Sequence, residues 1–257
     1  MLPRPREALF LVLCAAILVR QLFMPGFIGM ANNGDFPKVA GPLCLAGADR
    51  ETEKVIYFQA DYLRGPAYCY NPHIPSSEIV PASIASSLER MFSDKTHFDI
   101  RWLGAVHALL FAGFFYLMLV MLRPLDRVAA VVLSVVALWI FCDVSLVAYL
   151  NSFYGDVAAM LGGLTAVMTA VPLAGGKNVR AAPLFLSGLA ALAFVTSKGS
   201  HALLVVLPLM AFVWLARVLL TGIYGCSRRF SALRWSLALH GPCWPRRHGI
   251  RRSRVTT

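Results

Sequence analysis

Three short polar clusters interrupt an otherwise apolar chain: Asn32-Asn33-Gly34-Asp35-Phe36-Pro37-Lys38, Asn151-Ser152-Phe153-Tyr154-Gly155-Asp156 and Ser197-Lys198-Gly199-Ser200-His201. Asp35 is the group best suited to do chemistry. A carboxylate there serves as general base for an acceptor hydroxyl, or ligates a divalent cation that neutralises a phosphate leaving group. It is also the residue type that closes an Asx-turn and caps the adjoining segment. Asn151, Tyr154 and Asp156 supply amide, phenol and carboxylate groups suited to hydroxyl-rich ligands, and Gly155 lets the chain turn back. Asp156 reads equally as the cap of the next helix. Lys198, beside serine and His201 at a helix start, is suited to phosphate or pyrophosphate, or else snorkels to lipid headgroups.

What must position these groups is a set of apolar spans. Six stretches, Ala8 to Ile28, Leu103 to Leu122, Val128 to Ala148, Val157 to Leu173, Ala181 to Ser197 and Ala202 to Thr221, approach the roughly 20 residues that cross a bilayer core. Composition agrees, with 58% hydrophobic and 14% charged residues and a mean hydropathy of +0.65. The expected fold is an all-α polytopic membrane protein of about six transmembrane helices with a large first extracytoplasmic loop. Its divisions are 1–29, the first span; 30–101, the loop; 102–221, a five-helix bundle; and 222–257, a basic tail.

Orientation follows from the positive-inside rule. Arg4 and Arg6, Arg123 and Arg127, Lys177 and Arg180, and the closing run of arginines fall on one side. That side is cytoplasmic, and the three polar clusters share the opposite face. Localisation to a bacterial inner membrane with a cytoplasmic amino terminus follows, and contact with membrane lipid with it. The first span also resembles a signal peptide, but lacks a small-residue cleavage site and is read as retained. Nine of the 13 acidic residues lie between Asp35 and Asp99, so the net charge of +11 reflects basic cytoplasmic pieces. Nucleic-acid binding is not expected.

The loop is ordered by its composition, because it carries Tyr57, Phe58, Tyr62, Tyr68 and Tyr70, and linkers are poor in aromatics. Ser83 to Phe92 places Ile84, Leu88 and Met91 or Phe92 on one stripe, either as an amphipathic helix on the membrane surface or as a packed loop helix. Phe36 is expected to anchor Asp35 at the membrane surface. Asp143 falls inside the third span, where an acid is functional by default, and Arg20 near the outer end of the first span can reach a lipid phosphate or pair with it. His73 and His107 stand alone and receive no role.

No GxGxxG, Walker loop, HExxH or internal repeat is present, which removes nucleotide hydrolysis and simple zinc hydrolysis from consideration. The six cysteines lack CxxC spacing; only Cys44 and Cys69 fall in the exported loop, where an oxidising compartment permits a bridge. The segment from Cys226 holds eight arginines, two tryptophans and no acid. It reads either as a polybasic membrane-surface tail or as the product of a shifted reading frame, which would make the chain the front part of an enzyme.

Asn33-Gly34-Asp35-Phe36 just after the first span, the long loop, Asn151 to Asp156, and Lys198 with His201 together resemble the GT-C class of integral-membrane glycosyltransferases. The resemblance implies a polyprenyl-phosphate sugar donor, with Asp35 as the catalytic acid-base or metal-side carboxylate. Lys198 or Arg20 would hold donor phosphate, with Lys38, Asn151, Tyr154, Asp156 and His201 completing the substrate side. It departs from the class in having few spans. Two rivals are a polytopic transporter, with Asp143 and Arg20 as its polar path, and a non-catalytic membrane assembly protein.

Overall fold

A computed structural model describes residues 3–32, 34–47, 58–72, 76–93, 96–174 and 181–198, all inside one compact unit, Met1–Pro208. The sixth stretch, His201 and the tail lie outside the described residues. The chain is mostly helical, with eight described α-helices, but it is not all-α. A small antiparallel sheet, ordered β1-β2-β3, stands in the segment between the first and second apolar stretches.

Helix α1 (Pro5–Leu22) starts with Pro at its first position and with Glu7 accepting from the Arg4 backbone N–H at 2.9 Å. The expected span to Ile28 is corrected. The helix ends at Leu22 because Pro25 offers no N–H to continue it, and Gly26 takes a φ of +78° that turns the chain. Phe10, Cys14, Leu18 and Leu22 recur every four residues on one buried stripe, against Phe111, Phe115 and Met118 of α4 (Arg101–Met121). Among the described residues α4 alone is long and apolar enough to cross a membrane by itself.

The third stretch, continuous by its sequence, is broken in the structure. Helices α5 (Arg127–Phe141) and α6 (Val144–Leu150) meet at a 63° bend. Asp143 is the cause. Its exposed carboxylate accepts from the Ser145 N–H at 2.9 Å, an N-cap that starts a new helix. It is therefore not a buried acid, and it makes no pair with Arg20, which is exposed on α1. Helices α7 (Asp156–Ala174) and α8 (Ala181–Ser197) pack closely, since a Cβ at Gly162 would sit 2.7 Å from the Ala190 carbonyl. Small residues at such crossings allow backbones to approach in lipid.

The segment ahead of α4 is a small folded layer. Short α2 (Pro37–Ala40) precedes β1 (Leu45–Gly47), followed by β2 (Asp61–Arg64), α3 (Ile79–Phe92) and β3 (His97–Asp99). Cys44 and Cys69 form a disulfide. Arg64 of β2 reaches the buried Glu89 of α3 at 2.9 Å. Burial pushes the Glu89 carboxyl above its usual range, opposed by the Asp99 N–H and the Arg64 guanidinium. On α3, Ala82, Ala85 and Glu89 are buried, whereas Val80, Ile84, Leu88, Met91 and Phe92 form an exposed apolar stripe. The amphipathic pattern expected from the sequence is present, with its apolar face uncovered.

At the other end of the bundle, Glu7 accepts from Arg123 at 2.8 and 2.7 Å, tying α1 to the turn after α4. The Arg123 guanidinium pulls the Glu7 carboxyl down from 4.5 to about 2. A depressed carboxylate stabilises the fold above its unfolded value and loses that contribution as pH falls. Glu7→Gln should therefore melt at lower temperature than the parent in detergent at neutral pH. That gap should close as pH is lowered from 4.5 towards 2, as a thermal-shift series would show.

Candidate functional site

The described residues of the polar clusters converge at the end of the bundle that carries the folded layer. Helix α6 stops at Leu150 and α7 starts at Asp156, leaving a five-residue break whose backbone must be satisfied without solvent. Asn151, the first residue of that break, reaches back to the end of α1. Its buried Nδ2 donates to the Leu22 carbonyl at 3.2 Å and the Ile28 carbonyl at 2.8 Å, clipping the turn after α1 to the break. Its Oδ1 lies against Gly104, where a Cβ would come within 1.9 Å. Tyr154 is also buried and donates its hydroxyl to the Ala31 carbonyl at 2.8 Å. Both side chains, suited by type to face a ligand, contact scaffold carbonyls.

The expectation for Phe36 is corrected. It packs its ring 4.8 Å from Tyr154 and 5.7 Å from Phe153 and is buried in the aromatic core, so it is no membrane-surface anchor. The Asx-turn before it belongs to Asn32, whose Oδ1 accepts from Gly34 at 2.8 Å. Gly34, with φ +100°, is the residue that can adopt this turn without strain. Asp35 is thereby left half-exposed on a rigid mount, paired with Lys38 at 2.6 Å. A second ion pair joins Asp156 to Lys198 at 2.7 Å. Gly155 is required by close approach, since a Cβ there would lie 2.4 Å from the Ser197 carbonyl. The two pairs are linked through the Phe36–Tyr154 contact, two residues before Asp156.

Two residues without a functional reading from the sequence form the most buried polar contact nearby. His107 Nε2 and Glu78 Oε1 are 2.5 Å apart, both side chains fully buried. The other His107 nitrogen, Nδ1, meets the Leu150 carbonyl at 2.7 Å, and Glu78 Oε2 accepts from the Ala158 N–H at 3.1 Å. The pair lies along an apolar groove of about 530 Å³ lined by Val80, Pro81, Leu110, Leu161, Leu189 and Ala193. Ser76 and Ser77 close its end by donating to the Ser197 and Ala193 carbonyls at 2.7 Å each. A second cavity of about 330 Å³ is lined by Phe36, Tyr62, Tyr68 and Tyr70 within the folded layer.

The sequence pattern of one family, described as the YfdI N-terminal transmembrane domain, matches residues 4–238. The chain belongs to that family. It is accordingly a membrane protein, and the matched range takes in every described element. No curated protein and no solved structure matches the chain.

In this YfdI-family domain, the sequence signal for Glu78 and His107 is weak because each stands alone in the chain, 29 residues apart. A histidine one and a half turns into an apolar helix is the only hint. Arg20 remains exposed on α1, and His201 lies outside the described residues.

The Asn151 clip gives a direct test. Gly104→Ala would push a methyl into Oδ1, and Asn151→Ala would strand two carbonyls. Each should cost about 1–3 kcal/mol, read as a lower melting temperature of the detergent-solubilised protein, with the double variant less than additive because both act on one contact.

Proposed function

We propose that this domain belongs to a glycosyltransferase of the GT-C type, which moves a sugar from a polyprenyl-phosphate carrier to an acceptor on the extracytoplasmic face. The observation that carries the reading is the pairing of Asp35 with Lys38 and of Asp156 with Lys198 at one end of the bundle. Each pair sets a carboxylate beside an ammonium, the combination needed to accept a hydroxyl proton and to hold a phosphate. The Cys44–Cys69 disulfide supports placing that end outside, where thiols are oxidised.

In this reading Asp35 is the general base for the acceptor hydroxyl. Lys38 and Lys198 face the donor's phosphate, and the chain's amino terminus is cytoplasmic. Six spans would hold the site, counting the bent α5–α6 pair as one and including the stretch from Ala202. Among the described residues no three His, Cys, Asp or Glu converge on one point. A divalent cation at Asp35 would then take its remaining ligands from donor phosphate and water, as magnesium does in phosphate sites.

One observation favours the transporter reading, the 63° break between α5 and α6, because transporters place substrates at interrupted helices. Asp35→Asn separates the readings. Transfer from a polyprenyl-linked sugar in proteoliposomes should fall at least about a hundredfold, the scale of a lost general base, with membrane level unchanged. Full activity in that variant sinks the assignment, and solute uptake without transfer selects the transporter.

A further inference from the structure

Hydrogen-bond accounting fixes the protonation of the Glu78–His107 pair. The Leu150 carbonyl is an acceptor only, so the His107 nitrogen facing it, Nδ1, must carry a hydrogen. The opposite nitrogen and Glu78 Oε1 face each other at 2.5 Å, a separation that requires one proton between them, whichever atom holds it. Glu78 Oε2 is occupied as acceptor by the Ala158 N–H, so a second proton on the carboxyl has no place. Without the shared proton, two lone pairs would confront each other in a dry interior, where unpaired polar groups are costly.

Among the described residues, no other charge substitutes for that proton. The neighbouring elements do carry titratable groups, but each is engaged elsewhere or exposed. On α3, Glu89 holds Arg64 and the Asp99 N–H, and Arg90 is exposed. On α7, Asp156 holds Lys198; ahead of α6, Asp143 accepts from the Ser145 N–H. On α1, Glu7 holds Arg123 and Arg20 is exposed, with Arg6 near its start. Helix α4 itself adds Arg101, paired with Asp99, and the phenol of Tyr116. Helix α8 has no charged residue between Ala181 and Ser197.

We propose that Glu78 and His107 are a one-proton latch that holds α3 against α4 and against the first turn of α7. Protonated, it fixes the end of the apolar groove and, through Ala158, the position of Asp156 two residues earlier. Deprotonated, it releases α3 from both helices. The two residues are positioning groups, and the latch stands whether or not the domain transfers sugars.

The test uses spin labels on two exposed positions, Ile84→Cys on α3 and Leu109→Cys on α4, in the full chain with every native cysteine except Cys44 and Cys69 replaced by alanine and reconstituted in vesicles. The parent should show one label-to-label distance at low pH. A second, longer distance should grow about tenfold per pH unit relative to the first, the slope of a single proton. Glu78→Gln keeps the geometry without that proton, since an amide can accept from Ala158 and donate to neutral imidazole. It should hold the short distance throughout. An unchanged parent distribution from about pH 5 to 10, or the same pH response in Glu78→Gln, overturns the latch.

Discussion

A helix that stops inside an apolar bundle leaves carbonyls at one end and N–H groups at the next, with no solvent to receive them. The break between α6 and α7 poses that problem, and one chain of contacts joins its two ends. The Leu150 carbonyl at the end of α6 receives a hydrogen from His107, His107 faces Glu78, and Glu78 receives the Ala158 N–H at the start of α7. Four helices are fixed by one buried acid and one buried base. Removing either partner alone would leave the other uncompensated, which is why such pairs are costly to break even when they add little net stability.

Around that contact the folded layer is organised as a mount. The disulfide, the three short strands and the Arg64–Glu89 pair make the layer rigid, and the aromatic cluster of Phe36, Tyr62, Phe98, Phe153 and Tyr154 joins it to the break. Asp35 rides on this cluster through its neighbour Phe36. Its position is set by packing rather than by the membrane surface, and the Asx-turn made by Asn32 fixes the approach of the backbone.

Much of this is legible in the chain, and the failures have identifiable causes. The bounds of α4 and α8 follow from uninterrupted apolar runs, and the amphipathic face of α3 follows from its period. The break at Asp143 escapes a reading by hydropathy, because an aspartate in an apolar run suggests a buried charge when its commoner use is to cap a helix. The scaffold contacts of Asn151 and Tyr154 are equally hidden, because their carbonyl partners at Leu22, Ile28 and Ala31 lie more than a hundred residues away in the chain. The Glu78–His107 contact joins a loop residue to a mid-helix residue across the fold. No local spacing encodes such a meeting.

The serine strap on α8 has a bearing on how the chain is made. The carbonyls of Ala193, Thr196 and Ser197 accept from the Ser77 hydroxyl, the Ser77 N–H and the Ser76 hydroxyl, groups synthesised more than a hundred positions earlier. Chains emerge amino terminus first, so the donating serines are already made when α8 leaves the ribosome. The final described helix thus meets partners that precede it in synthesis, and its seat depends on residues ahead of α3 as well as on its packing against α7.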